Sequence, residues 1–305
     1  MPGAESLMSI TPAVSGRRRA AWCSLAARSS ATNQPELISQ AKPQIEDALP
    51  LITDYELVLD LSRQVLYSEL GRNFALQIFQ RGQQLGQQAF TDASNPALAA
   101  RILFKLCRRA NDLDQYDSMI ATWTNLTAAK RQWMWQEQAE YWDWLELVFR
   151  AYRDSNHLRE GEEFVTPLLN DSATPPQGYA ILGVSYSAMK RNQGDFATMF
   201  SVHEKMAQVA PTHEWTSAAY YWLALRSWRH GNTDTAASYA DKLLVALGTN
   251  WTLLWKREMA ASASYIKAVK AGIDMSQLQD QQNMPATVVR EQMNVVLNDL
   301  NRLTM

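Results

Sequence analysis

Two cysteines, Cys23 and Cys107, are all that a chain of 305 residues offers for crosslinking, which excludes a disulfide framework. A reducing compartment suffices. Glycine and proline are sparse, at 12 and 11 residues, and no run of alternating β-branched residues marks a sheet. Neither sign of charge dominates: 29 basic residues face 31 acidic ones, for a net charge of −2. Nucleic-acid-binding domains carry a basic excess, so no nucleic acid is expected as a partner. No apolar run approaches the roughly 20 residues that a bilayer crossing needs, so no membrane span is expected.

Chemical motifs are missing as well. The sequence has no phosphate-cradling glycine loop, no Gly-x-Ser-x-Gly elbow, no Cys-x-x-Cys pair and no His-Glu-x-x-His. The four histidines, His157, His203, His213 and His230, have no metal-ligand spacing. No catalytic residue, metal or cofactor is therefore nominated. Asp112, Asp114 and Asp117 begin like a calcium loop but lack its turn glycine and distal glutamate, and they read as a solvated turn between helices. Asp143, Glu146 and Asp154 cluster on or just after one helix, which is the one hint of glycosidase-like chemistry. Asn-X-Ser/Thr triplets stand at Asn125, Asn170 and Asn250. Asn125 falls within a predicted helix, where glycan acceptors are disfavoured.

What the chain does have is a recurring helix pair. The clearest copy runs Tyr179, Leu182, Gly183, Tyr186, then Gly194-Asp195-Phe196, Met199, His203, Met206 and Pro211. The next runs Tyr220, Leu223, Ala224, Ser227, Gly231, Ala236, Ala240 and Leu243. Bulky residues three and four apart make an inward stripe, and Gly183 and Ala224 let a neighbouring helix approach closely. Earlier copies are degenerate: Leu103, Leu106, Cys107, Ala110 with Met119 and Trp123, then Leu145, Val148, Phe149, Tyr152 with Gly161 and Val165. The small or methionine position of each second helix falls at Ala75, Met119, Gly161, Met199 and Ala236, about 44, 42, 38 and 37 residues apart.

This pattern resembles the tetratricopeptide repeat, with longer helices than its 34-residue consensus. The resemblance implies an all-α fold: a right-handed α-solenoid of about five to six degenerate helix pairs with a C-terminal capping helix. The solenoid is expected over residues 35–305, preceded by a disordered or targeting-like leader over 1–34. That leader is Arg-rich and Ser-rich with a single acid, Glu5, and resembles a mitochondrial transit peptide. Cytoplasmic residence is expected, with the mitochondrion as the alternative. Single helices are expected over 113–129 and 157–169, the latter bent at Pro167. Another runs over 251–270, followed by a Gln/Asp-rich connector over 277–283 and a capping helix over 285–303 that carries Val288, Val289, Met293, Val296, Leu297 and Leu300. Tryptophans crowd around 133–144 and 215–255, most of them expected in the core.

Tetratricopeptide proteins bind partners on the first helix of each pair. Their contact offsets fall here on Phe104, Arg108, Asn111 and Asp112; on Glu146, Arg150, Arg153 and Asp154; on Ala180, Val184, Ser187 and Ala188; and on Tyr221, Leu225, Trp228 and Arg229. The Lys/Asn/Asn/Lys/Arg clamp of the chaperone-tail binders is absent. Arg108, Arg150, Arg153, Tyr221, Trp228 and Arg229 are the candidate partner-binding residues, suited to an acidic or aromatic-containing segment. The expected function is a non-enzymatic scaffold for another protein or peptide. A helical-toroid glycosidase and a structural subunit of a larger assembly are the alternatives.

Overall fold

A computed structural model describes residues 35–135, 139–248, 253–273 and 286–302. The leader over 1–34 with Cys23, the triplet at Asn250, Trp251 and the connector over 277–283 lie outside the described residues, as do the side chains of Val296, Leu297 and Leu300. Fourteen α-helices and one 3-10 turn make up the described structure, with no strand among the described residues. None of these helices is long and apolar enough to cross a membrane. The chain clusters into two compact units, residues 1–158 and 159–305.

The N-terminal unit contains α1 (Pro35–Ala48), a 3-10 turn (Leu49–Leu51), α2 (Tyr55–Leu66), α3 (Gly71–Thr91), α4 (Pro96–Asp112), α5 (Tyr116–Thr124), α6 (Ala128–Met134) and α7 (Ala139–Asp154). Side chains fix where several helices start. Asp54 accepts the Glu56 and Leu57 amides, and Asn95 accepts that of Leu98 with Pro96 in the first turn. Each cap satisfies amide donors that the helix itself cannot. α2 packs on α3, α3 on α4 and α4 on α5, while α4 also touches α2 behind it and α7 ahead of it. Trp142 and Trp144 of α7 are fully buried, and the Trp144 indole donates to Thr122 Oγ1 at 2.9 Å.

The helix expected over 113–129 is in fact two. α5 stops at Asn125, and Thr127 starts α6 by accepting the Lys130 amide at 3.2 Å. Arg131 holds the corner by donating to the Trp123 carbonyl while its guanidinium lies over the Trp123 ring. Asn125 is accordingly exposed in a turn.

The second unit, from Arg159, holds α8 (Leu158–Asn170), α9 (Pro176–Asn192), α10 (Phe196–Val209), α11 (Thr216–Arg229), α12 (Thr233–Leu247), α13 (Leu254–Lys270) and α14 (Ala286–Arg302). α8 continues through Pro167. α9 packs on α10, α10 on α11, α11 on α12 and α12 on α13, and α11 also meets α9 and α13. A Cβ at Gly183 would come within 3.1 Å of Met206, so this glycine sets the α9–α10 approach. α14 rests on α13 with Val289 and Met293 buried in the core cluster and Arg290, Glu291 and Asn294 exposed.

One backbone device recurs. At the ends of α4, α7, α9, α11 and α13 a residue in the left-handed region, Asp114, Asn156, Gly194, Gly231 or Gly272, has φ of 49°, 64°, 78°, 75° or 67°. The amide that follows it reaches back to the carbonyl five residues earlier: Gln115 to Ala110 at 2.8 Å, His157 to Tyr152 at 2.8 Å, Asp195 to Lys190 at 2.9 Å, Asn232 to Ser227 at 2.9 Å and Ile273 to Ala268 at 3.1 Å. These are Schellman closures, for which glycine, asparagine and aspartate are the fitting residues. The first four sit five residues before Met119, Gly161, Met199 and Ala236. Sequence period and backbone conformation thus coincide, which is compatible with a helical repeat.

Candidate functional site

The six nominated residues divide between the two units, three in each. In the N-terminal unit, Arg108 is exposed on α4, whereas Arg109 turns inward to pair with Asp112 and Asp60. On α7, Arg150 grips Glu146 one turn back, donating to both carboxylate oxygens at 2.9 Å. Arg153 donates to Asp154 at 2.8 Å. Two of the three guanidiniums are therefore held by acids of their own helix. The same pairs engage two of the three clustered carboxylates. Asp143, the third, is half-buried; burial, then the charges of Glu146 and Glu140, raise its carboxyl above the ordinary range.

In the C-terminal unit, Tyr221 and Trp228 are half-buried against the core cluster. Trp228 meets Tyr265 edge-on at 5.8 Å, and Tyr221 meets Trp222 at 5.6 Å. Burial, partly offset by a hydrogen bond to Ser262, raises the Tyr221 hydroxyl above its usual value. Ala180, Ser187 and Leu225, at the same family offsets, are buried. Arg229 is exposed and lines a groove of about 560 Å³ between α10 and α11.

This groove is lined from two neighbouring helices. Phe196, Phe200 and Glu204 follow one another at four-residue intervals along α10, so they share one face. Arg226 and Arg229, three apart at the end of α11, face them with His230 beyond. The Arg226 guanidinium carbon sits 4.6 Å from the Phe200 ring centre, and its Nη1 donates to Glu204 Oε1 at 3.0 Å. Arg191 lies over Trp222, which packs on Phe196 and Met199. Of the groove's lining, the sequence nominated Arg229 and not Arg226 or Phe200. The four-residue recurrence on α10 was the available signal, while the cross-helix stacking was not readable.

Other features are chemically quieter. A cavity of about 250 Å³ lies between α3, α4 and α5, and Cys107 is among its walls. Burial pushes that thiol up to about 12, and its Sγ lies 3.3 Å from Thr122 Oγ1. His203 is buried, as expected of a core histidine, and burial lowers its imidazole to about 3. Asp114 pairs with Arg72 and receives the Tyr116 hydroxyl, in keeping with a solvated turn. No group of three or more His, Cys, Asp or Glu that could hold a metal occurs among the described residues. Trp133, Trp135 and Trp215 are partly exposed, Trp133 beneath Lys130 and Trp215 stacked on Trp255. Comparison with family models and with curated proteins found no match.

Proposed function

We propose that the chain is a non-enzymatic scaffold, a tetratricopeptide-like solenoid that binds a segment of another protein. The observation that carries this reading is the recurrent Schellman closure that ends α4, α7, α9, α11 and α13 about 37 to 42 residues apart. Stacked helix hairpins are a device for displaying long, graded surfaces, and binding is what such surfaces do. Arginine and aromatic side chains, which dominate interaction hot spots, line the groove in the C-terminal unit.

The test is co-purification of the full chain from its native source under crosslinking. A stoichiometric companion whose crosslinks map to first-helix faces or the α10–α11 groove is the expected result. Recovery of the chain alone, at every ionic strength tried, refutes the scaffold. A second reading, a subunit of a larger assembly, draws on exposed Trp133, Trp135, Leu253 and Leu254. It requires a companion that stays bound in high salt, because apolar interfaces are not screened.

A further inference from the structure

The geometry points to the α10–α11 groove as the docking site for an acidic peptide segment of a partner protein, carrying an aromatic or aliphatic residue beside its acids. This rests on the scaffold reading and names the chemistry it would recognise. Charge is the first ground. The lining holds two arginines, Arg226 and Arg229, and one acid, Glu204. Positions at the end of α11 suit cations because carbonyl dipoles converge there. That accounts for Arg229 but not for the Phe200 ring under Arg226 or for the hollow beside it.

The Arg226–Glu204 contact is the second ground. It is a single hydrogen bond between side chains that are 43% and 51% exposed. An incoming carboxylate can take the guanidinium and leave Glu204 to water at little cost, since exposed pairs are weak. Arg226 stays pre-oriented by the ring beneath it, and a stacked guanidinium presents its fork edge to planar carboxylates. Phe200, half-buried, is the apolar surface against which the partner's non-polar side chain packs, while Phe196, 8% exposed, backs it from the core.

The experiment uses the full chain and two fluorescein-labelled octapeptides, Asp-Glu-Phe-Glu-Asp-Phe-Glu-Glu and its counterpart with lysine in place of every acid, read by fluorescence anisotropy. The acidic peptide is expected to bind at least about tenfold more tightly than the lysine peptide, and the paired change Arg226→Glu with Arg229→Glu to weaken it about tenfold. Glu204→Gln removes the competing acid and tightens binding about threefold, a gain that misfolding cannot mimic. Equal binding of both peptides, binding of neither, or unchanged affinity in the Arg226/Arg229 variant overturns the inference. Loss on Arg150→Glu with Arg153→Glu instead would move docking to the N-terminal unit, which also overturns it while leaving the scaffold reading intact. The scaffold reading itself fails only when native co-purification returns no companion.

Discussion

Replacing Glu162 with leucine should destabilise the C-terminal unit more than replacing its partner Lys190 with methionine, although both remove the same ion pair. Glu162 Oε1 lies 2.6 Å from Lys190 Nζ and accepts the Tyr186 hydroxyl at 2.9 Å, and Lys190 also stands 3.7 Å from Asp195. The network joins α8, α9 and the turn before α10. Its members differ in exposure: the lysine side chain is 9% exposed, Glu162 39% and Asp195 38%. Stranding a fully buried charge costs about 3–5 kcal/mol, whereas breaking an exposed pair costs about 0–1 kcal/mol. Glu162→Leu leaves the buried ammonium with the more distant Asp195 and the face of the Tyr186 ring, so about 2 kcal/mol is expected; Lys190→Met leaves two carboxylates that water reaches, so about 1 kcal/mol is expected. At a few degrees per kcal/mol, that is a fall in Tm of about 4–8 °C against about 2–4 °C. The hydrogen bond from Lys190 outweighs burial and holds the Glu162 carboxyl below its ordinary 4.5. The native group therefore stays ionised to lower pH than the unfolded one. Its contribution is complete above that value and is lost as pH falls through the native one. Thermal and urea melts followed by circular dichroism at pH 7 and pH 3 decide the matter. A Lys190→Met variant as damaged as Glu162→Leu, or a deficit unchanged at low pH, would refute the reasoning.

Gly194→Ala and Gly231→Ala should each cost about 1–2 kcal/mol in melts, because an L side chain resists the left-handed region. Nothing lies within 4 Å of either added Cβ, so asparagine at the same positions should recover most of the loss. In a Cys23→Ser background, Cys107 should resist a thiol reagent at pH 8 until the chain is unfolded, since burial keeps its proton on to about 12; fast labelling of the native protein would contradict this. His203, held by burial at about 3 against an ordinary 6.5, refuses a proton that the unfolded chain accepts. Stability should therefore decline as pH drops from about 6.5 toward 3, and His203→Leu should flatten that part of the curve in urea titrations.

Helix content was legible because it is set by local chemistry. The turns at Gly194 and Gly231 could be read directly, since glycine after a helix marks a left-handed cap. At Asp114 and Asn156 the left-handed conformation could not, because those residues enter that region only when the backbone bonds around them close the motif. The break between α5 and α6 was hidden for a related reason. Asn125-Leu126-Thr127 contains neither glycine nor proline, and the corner depends on the Thr127 cap and on Arg131 folding over Trp123. At Pro167 the local rule allowed one helix with a bend. The helix runs through, with the Asp171 amide bonding the proline's own carbonyl at 3.0 Å.

The site was harder to read because repeat offsets choose a helix position, not the state of the charge placed there. Glu146 and Arg150 stand four apart, a spacing that favours pairing and was open to view in the sequence. In the structure Glu146 is 12% exposed and bound through both oxygens, so drawing Arg150 toward a partner would cost a nearly buried carboxylate its two-pronged contact. Arg226 is paired too, yet its acid is 51% exposed, sits on the opposite wall of the groove and is held by one bond. The two arginines therefore differ in what releasing them costs: several kcal/mol for an acid left buried, about 0–1 kcal/mol for one that water can reach. That difference in cost is the reason the proposed docking is placed at Arg226 in the α10–α11 groove and not at Arg150 on α7.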